Sequence, residues 1–340
     1  MVSLGMRTEK ALRIASLARS TYYYEPTGGK KGRRPTGFTM MNGTKVADSK
    51  VIESVNEILQ HEFIDYGYIR TAKALKAMGY QINKKKVYRL MKEHGLLFPK
   101  RVTKIHNKEY VVYSSPICSR PFELIEIDIK YIYIRGERCN AYLITMLDVF
   151  SRKALVWTLN LDMKTQRVTE LLNQLIAQWL IPLGIDPKKV EVKIRTDNGS
   201  QFIAKLFRDH LSEAGIENEY IRPGTPEQNG HIEAFHNTIN KLVCKKYEFD
   251  SLGQARDVLE KFFDVYNNKR IMKSILYKSP SEFYQCWKKG NIETRIIKGK
   301  AKYFFRERMP ENQASPDSEV LNMQNKVTEQ KNRSLTHSPI

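Results

Sequence analysis

Three acidic residues lie at places in the sequence where folding can bring carboxylates together. Asp128 lies in a run of alternating polarity, Asp197 follows a short apolar run, and Glu233 begins a helical pattern. Carboxylate oxygens are the ligands that Mg²⁺ prefers in proteins. Two such ions about 3.5–4 Å apart stabilise the attacking and leaving oxygens of a phosphodiester displacement. These residues therefore predict metal-dependent cleavage or joining of phosphodiester bonds.

Two further acidic residues, Glu126 and Asp148, lie on the same strand patterns and compete for this assignment. An acidic residue on a strand or helix is most often a solvated surface group. The local sequence favours Asp197, where a strand ends in turn-forming residues, and Glu233, which directly follows a loop rich in helix and strand breakers at 222–230. We assign Asp148 to the turn after its strand.

The elements around these residues predict a mixed α/β layer fold. From Phe122 apolar and polar residues alternate, which is the period of a strand with one buried face, and Asp128 falls on the side opposite Ile127. Three consecutive strands favour an antiparallel meander, and the order β-β-β-α-β-α-β-α indicates the layer fold. The other predicted elements are strands at 142–149, 154–159, 190–194 and 216–221 and helices at 165–180, after 230 and at 252–266.

A helix-turn-helix is predicted within residues 61–96. Its second helix can be capped by Asn83. On that helix Lys85, Arg89 and Lys92 share an outer face at a spacing that can reach phosphates. The alternative is a structural helix with an ordinary solvated basic face. The coincidence of helix, turn and charge favours contact with DNA.

Composition favours a polyanionic partner. The chain has 57 Lys and Arg against 37 Asp and Glu, a net charge of +20, and nucleic acid is the partner class that such an excess favours. Four widely spaced cysteines without a Cys-x-x-Cys pair argue against a zinc cluster and a disulfide framework. No apolar stretch reaches the roughly 18 residues of a membrane span, and no signal peptide is evident. We expect a soluble, cytoplasmic protein.

Changes in composition divide the chain into six parts. The segment 25–48 is rich in Gly, Pro, Thr and basic residues, which predicts a linker. Beyond Trp287 the chain is polar, with too few large apolar groups to offset the entropy of ordering, which predicts a disordered tail. The expected division is a short helical segment (1–24), a linker (25–49), a helix-turn-helix domain (50–98), a second linker (99–117), a catalytic core with a C-terminal helix (118–287) and a polar tail (288–340).

Four segments resemble the catalytic core of retroviral-type integrases and DDE transposases. They are Ile-Asp-Ile-Lys-Tyr-Ile at 127–132, Leu-Asp-Val-Phe-Ser-Arg at 147–152, Thr-Asp-Asn-Gly-Ser-Gln-Phe at 196–202 and Pro-Glu-Gln-Asn-Gly-His-Ile-Glu at 226–233. More closely, the chain resembles the OrfB transposase of the insertion-sequence-three family. The helix-turn-helix also resembles that family, as does a closing motif formed by Tyr266-Asn267, Arg270, Pro280 and Phe283, so the resemblance covers most of residues 50–285.

The resemblance implies a ribonuclease H-like fold, a mixed five-stranded sheet with helices on both faces, preceded by a small all-helical helix-turn-helix region. It implies that Asp128, Asp197 and Glu233 are catalytic and hold two Mg²⁺ or Mn²⁺ ions. Water at the metal site would free a 3′ hydroxyl at the element end, and that hydroxyl would attack another phosphodiester. The implied partners are terminal inverted repeats, target DNA, further copies of the chain in a bacterial cytoplasm and an upstream-frame protein or fusion.

DNA contacts are expected on two helices. On the second helix of the helix-turn-helix and on the helix that carries Glu233, the candidates are Lys84, Lys85, Lys86, Arg89, Lys92, Asn237 and Lys241. Where the family has Lys seven residues after the catalytic Glu, this chain has Asn240 followed by Lys241, which rotates the charge by about 100° around a helix.

Other departures weaken the closing motif. The family's Pro-His after Arg270 is Ile271-Met272 here, and its later Gly is Leu276. His231 and His236 flank Glu233 and either assist with protons or phosphate oxygens or are structural. Two alternative functions remain open: a ribonuclease H-like nuclease without strand transfer, and a non-catalytic, domesticated DNA-binding protein.

Overall fold

The computed structural model describes residues 5–25, 36–98, 116–222, 226–297 and 299–306. None of the helices in these ranges is long and apolar enough to cross a membrane. The N-terminal elements are α1 (Thr8–Ile14), α2 (Arg19–Tyr22), β1 (Phe38–Met41), β2 (Thr44–Ala47), α3 (Asp48–Gln60), α4 (Tyr68–Ala77), β3 (Tyr80–Gln81) and α5 (Lys84–Glu93).

The later elements build the core. They are β4 (Leu124–Ile134), β5 (Cys139–Asp148), β6 (Ala154–Asn160), α6 (Thr165–Leu175), β7 (Lys193–Thr196), α7 (Ser200–Ile203), α8 (Lys205–Ala214), β8 (Glu217–Tyr220), α9 (Gly230–Ile239), α10 (Leu252–Asn268), α11 (Pro280–Lys288), β9 (Ile292–Ile297) and β10 (Lys300–Phe305). Helices α6 and α9 each continue into a short π-helical turn, at Ile176–Leu180 and Asn240–Cys244.

The central sheet has five strands in the order β6-β5-β4-β7-β8. β4, β5 and β6 form the predicted antiparallel meander. β4 also pairs with β7 in parallel, and β7 pairs with β8 in parallel. The longest of these strands, β4, therefore lies at the centre of a mixed sheet, with an antiparallel side and a parallel side.

Helices cover both faces of this sheet. On one face α6 and α8 pack through a buried apolar cluster that includes Ile127 and Leu172. On the other face α9 and α10 pack through a cluster that includes Leu143, Phe235 and Phe262. Full burial of each such side chain contributes about 1.5–3 kcal/mol to the free energy of unfolding. The predicted mixed five-stranded sheet with helices on both faces is confirmed, and alternate residues of β4 pack against helices on different faces.

The helix-turn-helix is also confirmed. Helices α3, α4 and α5 pack around a core that includes Val51, Leu75 and Val87. The Asn83 side chain accepts a hydrogen bond from the Lys86 backbone N–H at 2.9 Å and so caps α5, as predicted.

The structure corrects the predicted linker at 25–49. β1 and β2 form a hairpin, and β3 joins them in a three-stranded sheet beside the helices. Asn42 and Gly43 both have positive φ. Positive φ at both central residues is typical of the tight hairpin turn that an Asn-Gly pair favours between two strands. The Gly and Thr content was interpreted as a linker, although part of it specifies this turn. Residues 26–35 of the predicted linker, and most of the second linker at 99–117, lie outside the described residues.

The prediction of a disordered tail at 288–340 is wrong for its first part. β9 and β10 form an antiparallel hairpin. Ile292 is only 4% exposed, and the Tyr303 ring packs edge-on against Phe150 and Phe283. Overall polarity did not reveal this hairpin because only one of its faces is buried. The remainder of the predicted tail, 307–340, lies outside the described residues.

A short segment between α3 and α4 joins the helix-turn-helix unit to the core. The carboxylate of Asp65 forms ion pairs with Arg270, at 2.7 Å, and with Lys241. Burial raises the pKa of Asp65, but these two cations outweigh burial and hold the pKa below its ordinary value. Phe63 packs edge-on against Phe262 of α10, with ring centroids 5.5 Å apart. The two parts are thus held together by a buried aromatic ring and a charged cluster.

Asp148 fixes the turn between β5 and β6 against the start of β4. Its buried carboxylate accepts hydrogen bonds from the Phe122 N–H at 2.9 Å, and from the N–H and hydroxyl of Ser151. Burial raises the pKa of Asp148 even though these donors favour its charged form. The structure therefore gives Asp148 the turn-forming role assigned from the sequence.

Replacing Asp148 with Ala should lower the free energy of unfolding by about 2 kcal/mol or more. Three buried donors would lose their acceptor, and each unsatisfied group costs about 1–3 kcal/mol. Urea denaturation measures this loss. Asp162→Ala is the control, because Asp162 pairs with Arg167 at the surface and such pairs contribute less than about 1 kcal/mol. Equal stability of the two variants would contradict the role of Asp148.

Candidate active site

Asp128 lies on β4, and Asp197 directly follows the neighbouring parallel strand β7. The last paired residues are Glu126 of β4 and Arg195 of β7, and continuing that register by two residues brings Asp128 next to Asp197. Adjacent strands are about 4.8 Å apart. Asp197 directly follows the end of β7, and both carboxylates are partly exposed. The fold thus brings together two residues that are far apart in the sequence.

The two carboxylates affect each other electrostatically. Burial raises the pKa of Asp197 above its ordinary value; a hydrogen bond from the Gly199 N–H, at 2.9 Å, opposes this, and the negative charge of Asp128 raises the pKa further. Asp128 accepts a hydrogen bond from the Ile129 N–H at 2.8 Å. A cation between the two carboxylates would relieve their repulsion, so this donor set fits a divalent metal ion.

The rim beside Asp197 depends on a close backbone approach. A Cβ on Gly199 would lie 2.2 Å from the Gln201 side chain and 3.0 Å from Asp197 Oδ1. The side-chain amide of Asn198 donates to the Ile221 carbonyl at 2.8 Å and holds the loop against β8. These contacts support the carboxylate of Asp197 without themselves supplying a metal ligand.

Glu233 lies on α9, which crosses the same part of β4. The Asn229 side chain donates to the Ile127 carbonyl at 3.3 Å just before the helix, and His236 Nδ1 lies 3.2 Å from Asp128 Oδ2 one turn after Glu233. Residues three apart leave the same side of a helix. The Glu233 side chain therefore leaves α9 on the side that faces Asp128.

The three acids do not form a ready-made coordination shell. Among the described residues, no group of three or more His, Cys, Asp or Glu side chains is arranged so that it could hold a metal ion. The close pair consists of Asp128 and Asp197, while Glu233 stands on the adjacent helix. Coordination of a metal by all three would need adjustment of side chains or a contribution from substrate oxygens.

Glu126 has a role that the sequence did not reveal. Its fully buried carboxylate accepts hydrogen bonds from the Ile232 N–H at 2.7 Å and pairs with His231 Nδ1 at 3.0 Å. It therefore ties the first turn of α9 to β4, two residues from Asp128. A signal existed in the sequence, since Glu126 is a second acidic residue on the same strand face as Asp128.

Arg195 provides a second anchor. Its guanidinium pairs with Glu219 of β8 at 3.0 Å and donates to the Gln228 carbonyl at 2.8 Å. The loop before α9 is thereby fixed to the parallel side of the sheet. Part of this loop, Pro226–Asn229, is a 3-10 helix, although its breaker content predicted no regular structure; residues 223–225 lie outside the described residues.

The two histidines beside Glu233 contact carboxylates. His231 pairs with Glu126 and His236 with Asp128. His236 is buried, and its Nε2 has no hydrogen-bond partner among the described residues. His231 therefore has the structural role, because it pairs with the buried Glu126. His236 directly contacts Asp128, a candidate metal ligand.

The basic residues of α5 fall into two groups. Lys84, Lys85 and Lys92 are exposed. Lys86 and Arg89 instead pair with Asp48 of α3, at 2.6 and 3.2 Å. Arg89 therefore does not share a free outer face with Lys85 and Lys92 as predicted from helical spacing, because it is engaged in packing α5 against α3.

The candidates on the catalytic helix also differ. Asn237 is exposed, whereas the Lys241 ammonium pairs with Asp65 and lies 5.6 Å from the centre of the Phe98 ring. Both residues line a cavity of about 490 Å³ that also contains Lys245 and Arg270. Lys241 thus faces the junction with the helix-turn-helix unit.

Comparisons with known proteins find related domains along this chain. Two integrase core domain models match residues 119–226 and 214–280, and an HTH-like domain model matches residues 47–104. The transposase for insertion sequence element IS904 of Lactococcus lactis subsp. lactis (strain IL1403) is 25% identical over 239 residues, 68% of this chain and 92% of the relative. Transposase InsD for insertion element IS2D of Escherichia coli (strain K12) is 26% identical over 250 residues, 69% of this chain and 78% of the relative.

Among solved structures, the HTLV-2 integrase catalytic core domain in complex with magnesium is 16% identical, with a TM-score of 0.36; the match covers 48% of this chain and 97% of that one. An integrase core behind a helix-turn-helix defines the class of protein, a DDE transposase/integrase enzyme. The relatives named above are transposases of insertion sequences, and the matches are consistent with an OrfB-type transposase of the insertion-sequence-three family.

Glu126→Ala should loosen the beginning of α9. The Ile232 N–H would lose its acceptor in a buried position, at a cost of about 1–3 kcal/mol. Hydrogen–deuterium exchange should become faster in peptides that cover residues 230–236. Glu170→Ala, which removes an exposed acid of α6 that pairs with Arg167, is the control. Unchanged protection of α9 in the Glu126 variant would show that the buried carboxylate does not hold the helix.

Proposed function

We propose that this transposase cleaves and joins DNA at a site formed by Asp128, Asp197 and Glu233, with two Mg²⁺ or Mn²⁺ ions. The observation that carries the proposal is the close pair of Asp128 and Asp197, whose negative charges repel each other next to the helix that bears Glu233. A site of this kind is unfavourable without a cation and suits hard, oxygen-seeking metal ions.

Each side chain has a separate task in this proposal. The metal ions, when bound, polarise the scissile phosphate and stabilise its developing charge. The Ile129 N–H and His236 orient the Asp128 carboxylate, while the Gly199 N–H orients that of Asp197. Helix α9 brings Glu233 to the same edge of the sheet. The expected course is hydrolysis that frees a 3′ hydroxyl at the element end, followed by attack of that hydroxyl on a second phosphodiester.

The helix-turn-helix unit would bind the terminal inverted repeats. Exposed Lys84, Lys85 and Lys92 on α5 are the cations available for phosphates, and Asn237 remains a candidate contact near the active site. Lys86, Arg89 and Lys241 would contribute by supporting the protein scaffold. Cleavage of two element ends and their joining to a target require more than one protomer, so we also propose a homo-oligomer on DNA. An upstream-frame protein or fusion is proposed as a further partner.

Two other functions can be distinguished by one assay. Oligonucleotides that carry candidate terminal repeats are incubated with the full-length chain and Mg²⁺ or Mn²⁺. Joined products support the proposal, cutting without joining indicates a nuclease, and binding alone indicates a non-catalytic DNA-binding protein. The presence of all three acids around one edge of the sheet favours the first result.

Asp197→Asn should abolish cleavage and joining but leave DNA binding intact. The loss should exceed about 100-fold, because removal of even an outer-shell partner of a metal ligand costs about 10–100-fold. Product formation in Mg²⁺ and DNA affinity are measured in parallel. Asp209→Asn, at an exposed position of α8, is the control and should retain activity. Joining by the Asp197 variant at the wild-type rate would refute the site.

Replacing Lys84, Lys85 and Lys92 together with Ala should weaken DNA binding and flatten its dependence on salt. Each lost phosphate contact lowers the log–log slope by about one, because fewer counterions are released. Fluorescence anisotropy at several salt concentrations measures the slope. Arg89→Ala is the comparison, since Arg89 is paired with Asp48 and its loss should act mainly on stability. An unchanged slope in the triple variant would remove α5 from the DNA interface.

A further inference from the structure

The β9–β10 hairpin has no part in the catalytic proposal. Residues directly opposite each other in an antiparallel pair lie on the same face. One face contains Ile292 and Tyr303, which pack on the core. We call the opposite face the outer face; by the strand register it carries Glu293, Arg295, Ile297, Lys300, Lys302 and Phe304.

Positive charges are crowded on the outer face. Arg295 is directly opposite Lys302, and Lys300 lies two residues away on the same face. Like charges in such a position destabilise a strand pair. Glu293 offsets part of this through an ion pair with Arg295 at 2.8 Å, while Lys300 and Lys302 form no ion pair within the described part of the chain. Packing within the protein does not account for this arrangement, which suits an anionic partner.

An aromatic ring lies among these cations. Phe304, on the outer face, is 38% exposed. The guanidinium carbon of Arg295 lies 5.1 Å from the centre of the Phe304 ring. This contact holds the guanidinium on the outer face, where it can reach a phosphate. A protein interface would instead favour a core depleted in charge.

The charge of the surrounding segment supports the same partner. Residues 288–306 contain seven basic side chains and one acidic side chain, and so supply six of the chain's net twenty positive charges. An ordinary solvated surface intersperses both signs of charge. A local excess of one sign attracts a polyanion over a distance and orients it.

We propose that the outer face of the β9–β10 hairpin is a second DNA-binding surface, which contacts the duplex backbone through Arg295, Lys300 and Lys302. Its contacts are to phosphates and carry no sequence preference. The hairpin is seated on Phe150 and Phe283 of the core, so it would hold DNA by contacts additional to those of the helix-turn-helix unit. This inference rests on the proposed function only in taking DNA as the polyanion.

The test is a Lys300→Gln/Lys302→Gln variant of the full-length chain. Its binding to a duplex of arbitrary sequence, followed by fluorescence anisotropy, should have a log–log salt slope shallower by about two than that of the wild type. The loss should be the same for duplexes of unrelated sequence. The matched control, Lys188→Gln/Lys189→Gln, removes the same charge from two exposed positions and should leave the slope unchanged.

Two further measurements separate charge from folding. Lys300→Arg/Lys302→Arg keeps the charge and should bind as the wild type does. The Gln variant should unfold at the wild-type temperature or higher, because the repulsion of Lys302 with Arg295 is removed. The proposal would be overturned if the Gln variant kept the wild-type salt slope or if the Arg variant bound DNA weakly. A changed oligomeric state in sedimentation, with an unchanged slope, would also overturn it and would indicate a protein interface.

This inference and the catalytic proposal fail separately. Asp197→Asn should retain the hairpin-dependent part of DNA binding. If the Gln variant loses salt-dependent binding while the wild type joins no DNA, the second surface stands and the catalytic proposal falls. If joining requires Asp197 but the Gln variant binds with the wild-type slope, the second surface alone is refuted.

Discussion

Two negative charges are held next to each other at one edge of the central sheet, and much of the neighbouring structure supports this arrangement. The parallel register of β4 with β7 sets Asp128 beside Asp197. Burial raises the pKa of Asp197, and the negative charge of Asp128 raises it further. The backbone N–H of Gly199 opposes this shift, and the N–H of Ile129 donates to the Asp128 carboxylate.

The third acid depends on how α9 is attached to the sheet. Glu126, buried in β4, binds the first turn of this helix, and Arg195, buried in β7, holds the loop before it. Each anchor lies two residues before one member of the pair in the sequence, Glu126 before Asp128 and Arg195 before Asp197. The strands that position the close pair therefore also position Glu233, so a change in the strand register would move all three groups together.

Periodicity in the sequence was sufficient for the elements with a strong buried face. The Asn83 cap of α5 is a local property and appears as predicted. The strand β4 also forms, but the predicted single buried face is wrong for Leu124–Ile127, which are buried on both faces because helices cover both sides of the sheet. The hairpins β1–β2 and β9–β10 were missed because their strands are short and bury few residues, so composition dominated their interpretation. The pairing of Arg89 with Asp48 also could not be predicted from the sequence, because it depends on how α3 lies against α5. The three acids stay a prediction that rests on local sequence context and on resemblance to a family, whereas the support given by Glu126 required tertiary contacts.

The junction between the helix-turn-helix unit and the core explains the position of Lys241, which departs from the family pattern. The family has a Lys where this chain has Asn240, and the next residue, Lys241, points about 100° away on a helix. In the structure Lys241 pairs with Asp65, which also pairs with Arg270 of the closing motif. The positive charge is therefore used to join the two parts of the protein. Because the junction is partly buried and is reinforced by Phe63, packing fixes the helix-turn-helix unit and the candidate active site relative to each other.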